Sequence, residues 1–204
     1  MDREYEALSA AGVKVERQQR MQGPLPPAAG PALVLPGQAQ FQPQAYLVHL
    51  AQEARRAGAS IHEHSRVIEI DMKKRWVDTA TGSVTAREIV MATHTPKGVR
   101  LVHAEMPVHR EYAVALPLDD AAHDPGPGIF WAQGAEGLSV RTLDQGDRRF
   151  LICVGQEHPP GAHNAKAALM AVEAAARRHF GHVEPAYRWS PQHYRAADAL
   201  PYIG

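Results

Sequence analysis

Leu138-Ser139-Val140-Arg141-Thr142-Leu143-Asp144-Gln145-Gly146-Asp147-Arg148-Arg149-Phe150-Leu151-Ile152-Cys153-Val154-Gly155 is the stretch on which the fold turns. Leu138 to Leu143 and Arg149 to Gly155 read as strands, and Asp144-Gln145-Gly146-Asp147 between them reads as a hairpin loop. A hairpin here implies an antiparallel sheet. Working outward, Arg110 to Leu118 and Ile129 to Gln133 are further strands, separated by the turn-rich Asp124-Pro125-Gly126-Pro127-Gly128. Asn164 caps a helix running to about His179, with Ala168, Leu169 and Val172 toward the core and Gly181 ending it. Tyr187 to Tyr194 closes the series as a strand.

The N-terminal half has a different grammar. Residues 2 to 11 read as a short helix closed near Gly12, Met21 to Pro31 as a Pro/Gly-rich loop, and Ala32 to Leu35 as a short strand. Pro43 suits the first position of a helix in which Tyr46, Leu47, Leu50, Ala51 and Ala54 recur at helical spacing until Gly58. Val67 to Ile70, Arg75 to Thr79 and Val84 to Thr93 follow as strands of a small meander, with Thr81-Gly82 as a turn. The fold class expected is α+β, a mixed and largely antiparallel sheet with packed helices.

Composition narrows the function classes. Apolar residues make up 45% and charged residues 22% of the 204, an ordinary globular balance. No apolar run approaches the length needed to span a bilayer, and the N-terminus has no signal pattern, so a soluble, cytoplasmic protein is expected. The 22 basic residues equal the 22 acidic ones, which offers no long-range attraction to nucleic acid or anionic lipid. The partner expected is a small molecule. A lone cysteine, Cys153, excludes an internal disulfide and reads as a small buried hydrophobe. The 12 histidines do not converge on a ligand set: His62 and His64 would share a strand face, but no third ligand is placed, and no metal is expected.

Several segments resemble, in order, the D-amino-acid-oxidase-like family of FAD-dependent oxidoreductases. Leu33 to Pro43 followed by Tyr46-Leu47 is similar to the segment entering the family's second long helix. Gly58 to Val67 resembles the strand whose valine lies against the adenine of FAD, and Ile89 to Thr93 the strand returning to the cofactor. Asp198-Ala199-Leu200-Pro201-Tyr202-Ile203-Gly204 resembles the late motif that brings the chain back to the flavin. Arg110-Glu111-Tyr112, Val154 to Gly161 and Trp189-Ser190-Pro191-Gln192 are similar to a subgroup carrying a C-terminal Rieske iron-sulfur domain. The departures are a missing Gly-x-Gly-x-x-Gly turn, Ala199 in place of a glycine, and His193 near the place of a carboxylate-binding arginine.

The resemblance implies a domain plan and a function. Residues 1–42 would form the N-terminal helix and loop, 43–96 the later part of an FAD-binding domain, 97–195 the substrate domain, and 196–204 a truncated return to the FAD domain. The chain is then a central fragment of an enzyme that oxidises a small amine-type substrate by hydride transfer to FAD, with a 2Fe-2S cluster in a further C-terminal domain. Alone it would be inactive, its partner being the missing flavin lobe, and an uncovered apolar surface could pair two copies as a homodimer. The alternative is a non-catalytic binding or interaction module that keeps the substrate-domain fold.

Site residues follow from the same resemblance. Val67, Ala92, Thr93 and Gly204 are the cofactor-binding expectations; Arg110, Tyr112, His158 and Gln192 are the substrate-binding ones. Four of them have a plainer reading as well. Val67 is a core strand residue, Arg110 a surface ion pair, Tyr112 a core or rim ring, and His158 a solvated loop histidine. Asp198 fixes a turn, and no residue is singled out as catalytic.

Overall fold

The structure, a computed structural model, describes residues 1–21, 30–94, 106–118, 124–132, 137–162, 164–181, 184–196 and 200. Its elements in chain order are α1 (Asp2–Ala10), β1 (Glu16–Gln18), β2 (Ala32–Val34), α2 (Pro43–Arg56), β3 (Val67–Asp71), β4 (Trp76–Thr79), β5 (Gly82–Thr85), β6 (Val108–Pro117), β7 (Ile129–Trp131), β8 (Ser139–Gln145), β9 (Arg148–His158), α3 (Ala165–Phe180), β10 (Tyr187–Trp189) and β11 (Gln192–Tyr194). The fold class is α+β, with every strand pair antiparallel. The chain divides into two compact units, Met1–Gln40 with Ala104–Gly204, and Phe41–His103.

In the first unit the hairpin is tighter than its sequence suggests. Gln145 pairs with Arg148, leaving Gly146-Asp147 as a two-residue loop, and Gly146 takes φ +64°. Glycine at the first loop position with positive φ is the arrangement whose twist matches the flanking strands. The sheet has the order β10-β6-β9-β8-β7, and β11 also pairs with β6. One face of it meets α3. Tyr112, Val114 and Leu116 from β6, Val140 from β8, and Leu151 and Cys153 from β9 pack with Ala168, Val172, Ala175, Ala176 and Phe180 of the helix. Leu169 is partly buried against the same cluster. The helix begins where its cap predicts: the Asn164 side chain accepts from Lys166 N at 2.9 Å and Ala167 N at 3.2 Å, and Gly181 closes it at φ +83°.

Tyr187 to Tyr194 runs as one interrupted strand along β6. Trp189 sits opposite Ala113 and Gln192 opposite Arg110, so the register is unbroken across Ser190-Pro191. Pro191 has no N–H to return to Glu111 O after accepting from Glu111 N at 3.1 Å. The Ser190 hydroxyl supplies the bond instead, donating to Glu111 O at 2.8 Å.

The second unit keeps its elements but not their burial. Gln42 caps α2 by accepting from Ala45 N at 2.6 Å, Pro43 leads the helix, and Gly58 at φ +96° follows its end. The strands β3, β4 and β5 form a meander. Three expectations fail here. Val67 is 47% exposed rather than a core residue. Strand structure ends at Thr85, because residues 86–93 pair with no described strand, and Val90 is 88% exposed. His62 precedes a turn at Glu63-His64, with His64 at φ 55°, so the two histidines do not share a strand face.

Candidate functional site

The far end of the β6–β9 pair departs from regular alternation, and this departure builds the site. Arg110 sits opposite His158, and Tyr112 opposite Gly155, so Glu111 alone faces both Gln156 and Glu157. This is a β-bulge, and Gln156 occupies it at φ +57°, a left-handed conformation costly for a residue with a side chain. The extra residue reverses the alternation of β9. Leu151 and Cys153 face α3; regular pleating would send Glu157 to that side, but the bulge sends His158 there.

The four substrate-binding expectations therefore come together. Arg110 and Tyr112 lie two apart on β6, and Gln192 and His158 are the cross-strand partners of Arg110 on either side. Arg110 Nη2 donates to Gln192 Oε1 at 3.4 Å, a long bond. Tyr112 and His158 stack with ring centroids 5.5 Å apart and planes at 29°. His158 is 6% exposed, which removes the solvated-loop reading, and Tyr112 is 3% exposed. His158 Nδ1 is 2.8 Å from Pro159 O; a carbonyl only accepts, so the contact places a proton on Nδ1. Arg110 Nε is buried with no hydrogen-bond acceptor among the described residues, and a surface ion pair does not describe it. An unmade bond at a buried donor is costly, so this atom calls for a partner.

Beside His158 lies an open cleft of ≈ 430 Å³, lined by Gln156, Glu157, His158, Asn164, Ala167 and Ala168. It sits at the N-terminal end of α3. Its lining combines the His158 imidazole, the amide residues Gln156 and Asn164, Glu157 and two alanines of α3. The cleft also exposes what sequence reasoning missed. Gln156 lies within Val154 to Gly161 with nothing to set it apart, and a left-handed glutamine inside a strand leaves no signal in the sequence.

Three of the four cofactor-binding expectations fall in the other unit. Val67 opens β3 with its side chain half exposed, and Ala92 and Thr93 are exposed in a segment without strand structure. Gly204, like Asp198, lies outside the described residues. Among the described residues no group of three or more histidine, cysteine, aspartate or glutamate side chains could hold a metal ion. Cys153 is fully buried, and burial pushes its thiol up to about 12, as for an inert core residue.

A family model described as FAD dependent oxidoreductase matches residues 1–204. The chain belongs to that family. It is 25% identical over 206 residues to YhfW of Bacillus subtilis (strain 168), a protein named as a Rieske 2Fe-2S iron-sulfur protein. That alignment covers 98% of this chain and 40% of the relative's length. No solved structure matches the chain. No helix among the described residues is long and apolar enough to cross a membrane.

Family membership makes FAD the cofactor to test against these residues. Val67, Ala92 and Thr93, the residues expected to meet it, stand exposed on the second unit. The 204 residues contain no Gly-x-Gly-x-x-Gly turn, so they do not supply the usual diphosphate cradle.

Proposed function

We propose that this chain supplies the substrate sheet and part of the flavin-binding half of an FAD-dependent oxidoreductase that oxidises a small amine-type molecule. The observation that carries the reading is the orphaned Arg110 Nε beside Gln192 and His158, in a family whose chemistry is flavin-dependent oxidation. When bound, flavin supplies the hydride acceptor. The residues of this chain do the holding. Arg110 and Gln192 offer donors to a polar or anionic group of the substrate, and the Tyr112–His158 stack forms a dry wall that orients it.

The exposed apolar residues of the second unit, Tyr46, Leu47, Leu50 and Ile68 among them, are where the rest of the flavin-binding lobe would pack. By itself the chain would not turn over. A 2Fe-2S cluster, which the name of the relative suggests, would lie in a part of the polypeptide beyond these residues, because a Rieske centre needs two cysteines and this chain has one.

Three measurements test this reading. Titration of FAD into the 204-residue chain, followed by flavin absorbance and Tm, should show no tight stoichiometric complex; one forming would overturn the incomplete-lobe reading. In the whole FAD-loaded protein, small amines added without oxygen should bleach the flavin, and Arg110→Ala should raise the amine concentration needed by about tenfold or more. A flavin that no amine bleaches would sink the amine assignment. A homodimer of the 204-residue chain, seen by light scattering, would show that a second copy covers the apolar face instead.

A further inference from the structure

The bulge that brings His158 to the front of the sheet turns Glu157 to the back, where it joins a second constellation. His109 Nδ1 is 2.8 Å from Glu157 Oε1, and His193 Nε2 is 3.8 Å from the same oxygen. Arg195 Nη2 lies 2.5 Å from Oε1 and 2.6 Å from Oε2. The two imidazoles stack at 5.7 Å with planes 16° apart, and Glu111 Oε2 closes the group 4.0 Å from His193 Nδ1. The charged and titratable groups facing one another are thus His109 and Glu111 from β6, Glu157 from β9, and His193 and Arg195 from β11 and the residue after it. One carboxylate reaches three segments of the chain.

β11 needs such help. It has three residues, and at Pro191 before it a side-chain hydroxyl, that of Ser190, stands in for a backbone ladder bond. An edge this short is weakly held by backbone pairing alone. Yet it carries Gln192 to Arg110 on the front face, one residue from His193 on the back. The histidines bear charge only when protonated. With both rings neutral, two carboxylates face one guanidinium, and a single ring proton balances the group.

We infer that Glu157 is a positioning residue: from behind the sheet it clamps β11 to β6, holding Gln192 against Arg110, and the clamp tightens when the stacked histidines take up a proton. The importance of that pair rests on the proposed substrate site, but the clamp can be tested without flavin or substrate. Amide hydrogen exchange in the 204-residue chain, corrected for intrinsic rates, reads it between pH 5.5 and 8, the range in which histidines change charge. The reporters are Glu111 N–H, which donates to Pro191 O, and Arg195 N–H, which donates to Pro107 O, each at 3.1 Å. Central amides of the β8–β9 pair are the reference.

The expected result is that protection at the two reporters falls about threefold as pH rises, while the reference does not change. Glu157→Gln should flatten that pH dependence and hold the reporters at or below the parent chain's pH 8 level throughout, because the Glu157–Arg195 pair is lost as well. Reporters with unchanged protection and slope in Glu157→Gln would overturn the inference. So would an equal loss at every pH, which is the signature of a merely structural contact. His193→Asn, which leaves the Glu157–Arg195 pair in place, provides the same reading should Glu157→Gln not fold: a flattened slope supports the clamp, and a retained slope overturns it.

Discussion

The sheet with α3 and the unit around α2 were built from equally clear sequence patterns, yet only the first has an interior. Every buried residue among those described lies between Met106 and Pro185, and none lies in residues 41–94. Val172 and Phe180 of α3 are 1% and 2% exposed; Leu47 and Leu50 of α2, placed by the same helical spacing, are 63% and 43% exposed. The difference teaches that periodicity determines which face of an element is apolar, whereas burial depends on a second layer to receive it. In the first unit the sheet provides that layer.

The largest effect that can break this comparison comes from truncating the core. Phe180→Ala should cost about 3–5 kcal/mol in denaturant unfolding, because it opens a cavity in the buried cluster to which Phe180 belongs. Leu47→Ala, on the open face of α2, should change stability by less than about 0.5 kcal/mol. If the two variants cost the same, the contrast between the units is wrong.

Cys153 gives the next test. With its thiol pushed up to about 12, it should resist a disulfide reagent at pH 8 in the folded chain and react promptly after unfolding. The sign for stability follows. Above the unfolded value of 9.0 the unfolded chain sheds this proton while the folded chain keeps it, so stability should fall as pH rises from 9 toward 12. A thiol that reacts at once in the native protein would show that the β9 interior is open.

Asn164→Ala should cost about 1 kcal/mol by removing the acceptor for two N–H groups of α3, measured by the shift in Tm. The smallest effect belongs to the second unit. Hydrogen bonds from the backbone N–H groups of Lys74 and Lys73 hold the Asp71 carboxyl below its ordinary 3.8, although burial works against them. The turn support is present above that value and is lost as pH falls through the lower folded one. Exchange at the Lys73 and Lys74 amides should therefore accelerate, relative to intrinsic rates, only in that acid range, with little change in global unfolding.

The sequence by itself determined whatever depends on neighbours along the chain. Gly146 set the hairpin, and Asn164 and Gln42 set helix starts. The family resemblance named Arg110, Tyr112, His158 and Gln192 as expectations, on three separate segments. Their meeting was a matter of tertiary structure. Pleating has a period of two, so one extra residue reverses every later side chain, and only pairing with β6 reveals that Gln156 is the extra one. The same pairing turned Glu157 away from the site, toward His109 and His193, which local sequence gave no reason to join. Burial was likewise decided by the partner layer: it hid His158 and Cys153, and left Val67 and Val90 in water, because no run of residues can specify what will cover it.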